Sequence, residues 1–173
     1  RDRPFAEKRG MAVWRGRCGE HPVRRALVRD WHQHPLCDIG DVAERVRGTP
    51  IHREFLSIRA QLAYRYIVSL EGIDVASNTK WIMSSNSLCF MPRPRFETWF
   101  MEGALIPDHH YVLLRDDCAD LEEKIRYYNA HPAAAEAIVA NARAHVAPFR
   151  DRRRELLLSL LVLERYFRLS GQW

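Results

Sequence analysis

The chain has 173 residues, of which 47% are hydrophobic and 28% are charged, a composition typical of one globular domain with its own core. Its formal net charge of +5 favours an anionic partner such as a nucleotide, a phospholipid surface or nucleic acid, although solvated helix faces explain it equally well. No apolar run approaches the roughly 20 residues of a membrane-spanning helix, and the first residues carry no signal-peptide pattern.

The cysteines exclude two further classes of protein. Cys18, Cys37, Cys89 and Cys118 are widely scattered, so their spacing fits neither a zinc site nor a small disulfide framework. We therefore expect reduced thiols in a cytoplasmic protein. Because the sequence opens on Arg1 and not on Met, we interpret it as a piece of a longer polypeptide or a trimmed chain.

In chain order, short apolar segments alternate with segments of helical pattern. Strands are predicted at 11–14, 36–42, 64–70, 87–92 and 110–115. Helices are predicted at 22–34, 50–63 with Thr49 as N-cap, 74–86 with Asp74 as N-cap, 96–105 with an end near Gly103, and as long terminal helices from about 119 to 170. This order predicts the α/β class, with a Rossmann-like parallel sheet, helices on both faces, and one domain over residues 1–173.

The first candidate anion site follows the first strand, in the segment WRGRCGEHPVRR. Arg15, Arg17 and Arg24 surround a glycine-bearing turn that leads into a helix N-terminus, where backbone N–H groups attract phosphate. The segment is neither a Walker A loop nor a GxGxxG motif, so exposed arginines on a turn are the alternative.

The second candidate is LEGIDVASNTKW, where the third strand leads into a helix. Gly72 permits a sharp turn or a close ligand approach. Ser77, Asn78 and Lys80 follow in the first helical turns, and Lys80 is suited to neutralising phosphate charge. Asp74 is either a polar site residue or simply the helix N-cap.

The third candidate is MPRPRFETWF, which follows the fourth strand. Arg93 and Arg95 lie on a loop interrupted by prolines. Glu97 then opens a short helix, where it is either a favourable partner of the helix dipole or a hydrogen-bond partner of ribose or sugar hydroxyls.

Three segments resemble glycosyltransferase family 90 in order and spacing. They are VWRGRCGEHPVRR, YRYIVSLEGIDVASNTKWIMSSNSLCFMPRPRFETWF and HHYVLLRDDCADLEEKI, and the resemblance covers roughly residues 8–148. The family includes bacterial lipopolysaccharide core-biosynthesis transferases, fungal capsule-associated transferases and animal protein O-glucosyltransferases. The chain is most similar to the bacterial members.

The resemblance implies the carboxyl-terminal, donor-binding half of a GT-B glycosyltransferase. It implies a UDP-sugar donor, a lipopolysaccharide core or related glycan acceptor, and transfer without a bound metal or other cofactor. The family's catalytic base lies in the amino-terminal half, so no catalytic residue is assigned here. The absence of a DxD motif and of HExxH spacing agrees with the expectation of no metal.

The resemblance also assigns donor-binding residues. Arg15 and Gly16 match the family's strand-end Arg-Gly pair, Arg24 matches a following arginine, Gly72 matches the turn glycine, and Lys80 matches a family lysine on the next helix. Asn78 stands where the animal members have an arginine that contacts diphosphate. The predicted donor site is Arg15, Gly16, Arg24, Gly72, Asp74, Ser77, Asn78, Lys80 and Glu97.

Two alternatives remain open from the sequence. The chain is either an active hexosyltransferase domain or a truncated, non-catalytic nucleotide-binding module of the same fold. A nucleic-acid partner is not expected, because no DNA- or RNA-binding motif and no basic stripe interleaved with aromatic residues is present. The basic surface is consistent with a cytoplasmic enzyme that is either free or peripheral at the inner face of the cytoplasmic membrane.

Overall fold

The computed structural model describes residues 2–172, which form one five-stranded sheet surrounded by helices. The strands are β1 (Arg9–Gly16), β2 (Cys37–Asp41), β3 (Tyr64–Val68), β4 (Leu88–Met91) and β5 (Val112–Leu113). The helices are α1 (Pro22–Trp31), α2 (Ile58–Gln61), α3 (Thr79–Met83), α4 (Leu121–Ala130), α5 (Pro132–Val146) and α6 (Arg152–Leu169). Short 3₁₀ turns lie at Phe5–Glu7, Glu44–Val46, Glu102–Ala104 and Ala147–Arg150.

All neighbouring strands of the sheet are parallel, in the order β2-β1-β3-β4-β5. The chain moves from β1 outward to β2 and then returns to place β3 on the other side of β1. Crevices that bind ligands form at such a reversal, outside the carboxyl ends of the strands. The predicted α/β fold with a parallel sheet is therefore confirmed.

Hydrophobic side chains pack on both faces of the sheet. Trp14, Tyr66 and Phe90 belong to the core that α1 and α4 cover, and the Tyr66 and Phe90 rings stack with centroids 4.9 Å apart. Val13 and Ile67, at alternate positions on the same strands, belong to the core that α3 and the end of α5 cover. The alternation follows from the period of two in a strand, and it confirms that helices lie on both faces.

The predicted helix at 50–63 is wrong over most of its length. Residues 51–53 instead pair with the end of β2: Asp41 N donates to Ile51 O at 3.0 Å, and Arg53 N donates to Asp41 O at 3.0 Å. Only α2 is helical, and its N-cap is Ser57, whose hydroxyl accepts from Ala60 N. Thr49 is not a cap, because its hydroxyl donates to Val46 O.

Two other predicted helices are much shorter than expected. The helix at 74–86 is reduced to α3, so Asp74 lies outside it as an exposed residue and is not its N-cap. The segment 96–105 contains only the 3₁₀ turn at Glu102–Ala104, preceded by Met101 in the left-handed region with φ 56°. The carboxylate of Glu102 accepts from Thr98 N at 2.7 Å, which favours a local turn over a helix.

A partly buried polar cluster joins the first three strands in sequence. Arg15 on β1 donates to the Asp38 carbonyl on β2 at 2.6 Å and forms an ion pair with its carboxylate. Tyr64 on β3 donates its hydroxyl to the same carboxylate. Burial alone would raise the pKa of Asp38, but the hydrogen bonds from Tyr64 and Arg15 outweigh it and hold the pKa below its usual value.

Helix α6 follows the domain core and differs from the other helices in what it exposes. Its large apolar side chains face solvent at Leu156, Leu157, Leu158, Leu160, Leu161, Val162, Leu163, Tyr166 and Leu169. Asp151 caps its start by accepting from the backbone N–H groups of Arg153 and Arg154. Across residues 2–172, no helix combines the length and the apolar character that crossing a bilayer requires.

Replacing Phe90 tests the core at the centre of the sheet. Phe90 is 0% exposed, so we expect Phe90→Ala to lower the free energy of unfolding by about 3–5 kcal/mol through lost burial and a cavity. Phe55 is 75% exposed, and Phe55→Ala, the same change at the surface, should cost no more than about 0.5 kcal/mol. Urea unfolding measures both values, and equal losses would contradict this assignment of the core.

Acid unfolding tests the Arg15–Asp38 pair. The contribution of Asp38 to stability is present above its unfolded pKa of about 3.9 and is lost as pH falls through its lower folded pKa. Arg15→Gln removes the guanidinium, so we expect the folded pKa of Asp38 to rise, acid unfolding to begin at higher pH, and neutral stability to fall by about 3 kcal/mol.

The matched control is Arg47→Gln, which breaks the exposed pair with Glu44. Because such pairs contribute little in water, we expect this variant to follow the wild-type acid-unfolding curve by circular dichroism. Identical curves for Arg15→Gln and the wild type would show that the guanidinium does not hold Asp38 in its ionised form.

Candidate functional site

A cleft lies at the carboxyl ends of β3 and β4, where the fold places ligand sites. Residues 69–71 after β3 form one of its walls, and the last residue of β4 with the four that follow it, residues 91–95, forms another. The start of α1 contributes His21 and Val23, and the segment that leads into α3 contributes Val75, Ala76 and the first residue of the helix, Thr79. Glu102 and Asp116 complete the lining. Loop residues meet here because parallel strands deliver their carboxyl ends to one edge of the sheet.

Glu71 fixes the position of the loop at residues 92–96, hereafter the 92–96 loop. Its carboxylate accepts from Arg95 N at 2.8 Å and from Phe96 N at 3.1 Å, and the Arg95 guanidinium donates to it at 3.0 Å. Only 14% of the Glu71 side chain is exposed, which makes these charge-assisted bonds stronger than bonds in open solvent. The two walls of the cleft are thereby joined.

Arg24 holds the β3 wall from the side of α1. Its guanidinium donates to Glu71 O and Leu70 O, both at 2.9 Å, and to Arg17 O at 3.0 Å. A Cβ at Gly72 would lie 2.8 Å from Arg24 Nη2, so the close approach explains the glycine. Arg24 is therefore engaged with backbone carbonyls and supports the cleft from outside its lining.

Lys80 is similarly engaged. Its ammonium lies 3.0 Å from Glu102 Oε1 and 5.4 Å from the ring centroids of both Trp99 and Phe100. Burial would raise the pKa of Glu102, but hydrogen bonds from Thr98 and Lys80 hold the pKa below its usual value, so this carboxyl is ionised. The charge of Lys80 is largely balanced by a lining residue of the cleft.

Arg15 and Gly16 lie at the end of β1 and do not line the cleft. Arg15 is committed to Asp38, as described above, and to Glu54 O at 3.1 Å. A Cβ at Gly16 would lie 2.6 Å from Trp14 Cζ2, so the indole requires a glycine there. Both residues lie at the carboxyl end of an inner strand, beside the cleft.

Of the other predicted donor-site residues, one stabilises the end of β3 and three are exposed at the surface. Asn78 donates to Val68 O at 3.1 Å and accepts from the Ser69 hydroxyl at 2.9 Å, so its amide fixes the end of β3. Asp74, Ser77 and Glu97 are exposed and lie outside the lining. The direct role of all nine predicted residues in donor binding stays a prediction.

Several lining residues were not in the predicted site. His21 is the N-cap residue of α1, and its Nδ1 is buried with no hydrogen-bond partner in the described part of the chain. Burial, followed by the charges of Arg24 and Arg95, lowers the pKa of His21. In the sequence, the only feature that could have marked His21 as a site residue is its position just before Pro22, at the start of a predicted helix.

Arg93 and Asp116 also line the cleft, and both are exposed side chains on loops that follow strands. Arg93 belongs to the third candidate anion segment predicted above, whereas no role was predicted for Asp116. Within residues 2–172, no three His, Cys, Asp or Glu side chains converge as a metal site would require.

Comparison with known proteins identifies the family. The model of glycosyl transferase family 90 matches residues 1–150. The O-glucosyltransferase LpsA of Dichelobacter nodosus is 53% identical over 167 residues, which is 96% of this chain and 52% of that protein. The chain therefore spans about half the length of the curated relative that it matches.

A solved structure also matches, the C-terminal domain of a group 1 family glycosyl transferase (LpcC) from Francisella tularensis. The match covers 79% of this chain and 83% of that one, with 10% sequence identity and a TM-score of 0.49. The family match over most of the chain and the relative at 53% identity carry the assignment. The chain belongs to glycosyl transferase family 90.

Proposed function

We propose that this chain is the donor-binding half of a GT-B glycosyltransferase that transfers a hexose from a UDP-sugar to a glycan acceptor. The observation that carries the proposal is the cleft at the carboxyl ends of β3 and β4, in a chain that belongs to a glycosyl transferase family. The name of the LpsA relative, an O-glucosyltransferase, favours glucose as the sugar. The acceptor we propose is lipopolysaccharide core or a related glycan.

The proposed reaction is attack by an acceptor hydroxyl oxygen on the anomeric carbon of the donor. The new carbon–oxygen bond forms as the bond to the diphosphate breaks, and UDP leaves with the electron pair. The hydroxyl proton passes to a base that we place outside this chain. Negative charge grows on the leaving diphosphate, so cationic side chains at the cleft stabilise the transition state and take the place of a metal.

Lys80 fits a role near this leaving group. It is 24% exposed beside a lining residue, and its pairing with Glu102 fixes its ammonium in place. Preorganised charges of this kind stabilise a transition state without reorganising at the moment of reaction.

We place the protein in the cytoplasm, either free or held at the inner membrane face by its basic surface.

Titration with nucleotides tests the proposed function. We expect the purified protein to bind UDP more tightly than ADP by calorimetry, and Lys80→Ala to weaken UDP binding by about 10-fold, since a hydrogen bond to a charged group contributes about 1.5 kcal/mol or more. Lys124→Ala, on α4 and away from the cleft, is the matched control and should bind UDP like the wild type.

Transfer from UDP-glucose to a lipopolysaccharide-type acceptor is the second measurement. Equal binding of UDP and ADP would contradict a uridine-specific donor site and favour a general nucleotide-binding module. UDP binding without transfer in the full-length protein would favour the non-catalytic alternative. Thermal unfolding of each variant separates a binding defect from a loss of fold, because Lys80→Ala leaves the buried Glu102 carboxylate without its partner.

A further inference from the structure

The basic side chains around the cleft are not equivalent. The Arg24 guanidinium donates to backbone carbonyls. Arg95 is paired with Glu71, and Lys80 is paired with Glu102. Arg93 lines the same cleft, and within residues 2–172 its side chain has no hydrogen bond or ion pair. It is the cleft's one guanidinium, among the residues described, with all of its donors available to a ligand.

The backbone that carries Arg93 is restricted on both sides. Pro92 and Pro94 flank it, and a residue that precedes proline is confined to extended conformations. The preceding strand is fixed by Leu114 N, which donates to Met91 O at 3.0 Å. The far end of the loop is held by Glu71, so the backbone around Arg93 is already ordered. Binding of a ligand to Arg93 therefore costs little backbone conformational entropy.

Among the described residues, no carboxylate of the lining is paired with Arg93. The carboxylates of Glu71 and Glu102 are each neutralised by a cationic partner, so neither needs Arg93. Asp116 has no ion pair in the described chain and is exposed. An arginine offers a planar fork of N–H donors that matches phosphate oxygens in pairs, and fork-like pairing is stronger and more directional than a single contact.

We infer that Arg93 binds the diphosphate of the donor, an assignment that rests on the proposed function. Phosphate chemistry has two sources in this reaction, because the donor carries a diphosphate and a lipopolysaccharide acceptor can carry phosphate groups. Arg93 lies at the strand-end cleft with the start of α1 and the end of β3, where an α/β sheet binds its nucleotide. Arg93 therefore contacts the donor.

The experiment compares ligands that differ in phosphate number. Arg93→Gln is titrated calorimetrically with UDP, UMP and uridine. We expect UDP to bind roughly 10- to 100-fold more weakly than to the wild type, UMP to lose less, and uridine to lose nothing. Arg93→Lys, which keeps the charge but not the fork, should recover part of the lost affinity for UDP.

The matched control is Arg59→Gln, which removes an exposed arginine on α2, outside the cleft. Its UDP affinity should equal that of the wild type, which excludes a general effect of net charge. The loss in Arg93→Gln should also shrink as salt is raised, because the exposed contact is screened.

Three results would overturn the inference while leaving the proposed function standing. The first is a UDP affinity for Arg93→Gln within twofold of the wild type. The second is an equal loss for uridine and UDP, which would mean that Arg93 acts through the shape of the cleft. The third is unchanged donor binding with a raised KM for a phosphorylated acceptor, which would assign Arg93 to the acceptor.

A wild-type protein that does not bind UDP would instead overturn the proposed donor. Inorganic pyrophosphate then serves as the probe. Binding of pyrophosphate that is lost in Arg93→Gln but kept in Arg59→Gln would support Arg93 as a diphosphate ligand with a different nucleotide. No binding of pyrophosphate would overturn both assignments.

Discussion

Glu71 makes the interaction on which the rest of the cleft depends. Its backbone carbonyl accepts from Arg24 on α1, and its carboxylate accepts from the backbone of Arg95 and Phe96 beyond β4. One residue thus connects a helix, the end of one strand and the loop after the next. Because the side chain is mostly buried, removing it would leave several donors unsatisfied, so this connection has a large effect on loop position.

This arrangement separates cations that build the cleft from a cation that is available to a ligand. Arg24 and Lys80 sit where their charge is balanced by carbonyls or by Glu102, which lowers the cost of holding them near the interior. Arg93 has no desolvation penalty to offset, because it is exposed on the 92–96 loop. Among the described residues, Arg93 is therefore a guanidinium of the lining that no hydrogen bond or ion pair engages.

The strands were predicted well because their signal is local. Apolar, β-branched and aromatic runs marked β1, β3 and β4 to within a few residues, and alternation with helical segments fixed the parallel topology. The helices predicted at 50–63 and 96–105 failed because distant contacts decide those segments. Ile51 pairs with Asp41 of β2, and Glu102 folds back on Thr98, and neither contact is visible in a local pattern.

The three candidate segments predicted from the sequence all contribute residues to the lining of the cleft, but their local patterns could not assign roles within them. The sequence around an arginine at the end of a strand is the same whether the side chain binds a ligand or donates to a carbonyl. The partner of Arg15 is 23 positions away at Asp38, and the partner of Arg24 is 46 positions away at Leu70. Only the fold shows which donors are already used.

His21 supplies no positive charge to the cleft at neutral pH. Burial and the charges of Arg24 and Arg95 lower the pKa of His21 from an ordinary value near 6.5, so its imidazole is neutral at neutral pH. The positive charge that the cleft offers to a diphosphate at neutral pH therefore comes from other side chains, and His21 contributes as a neutral ring.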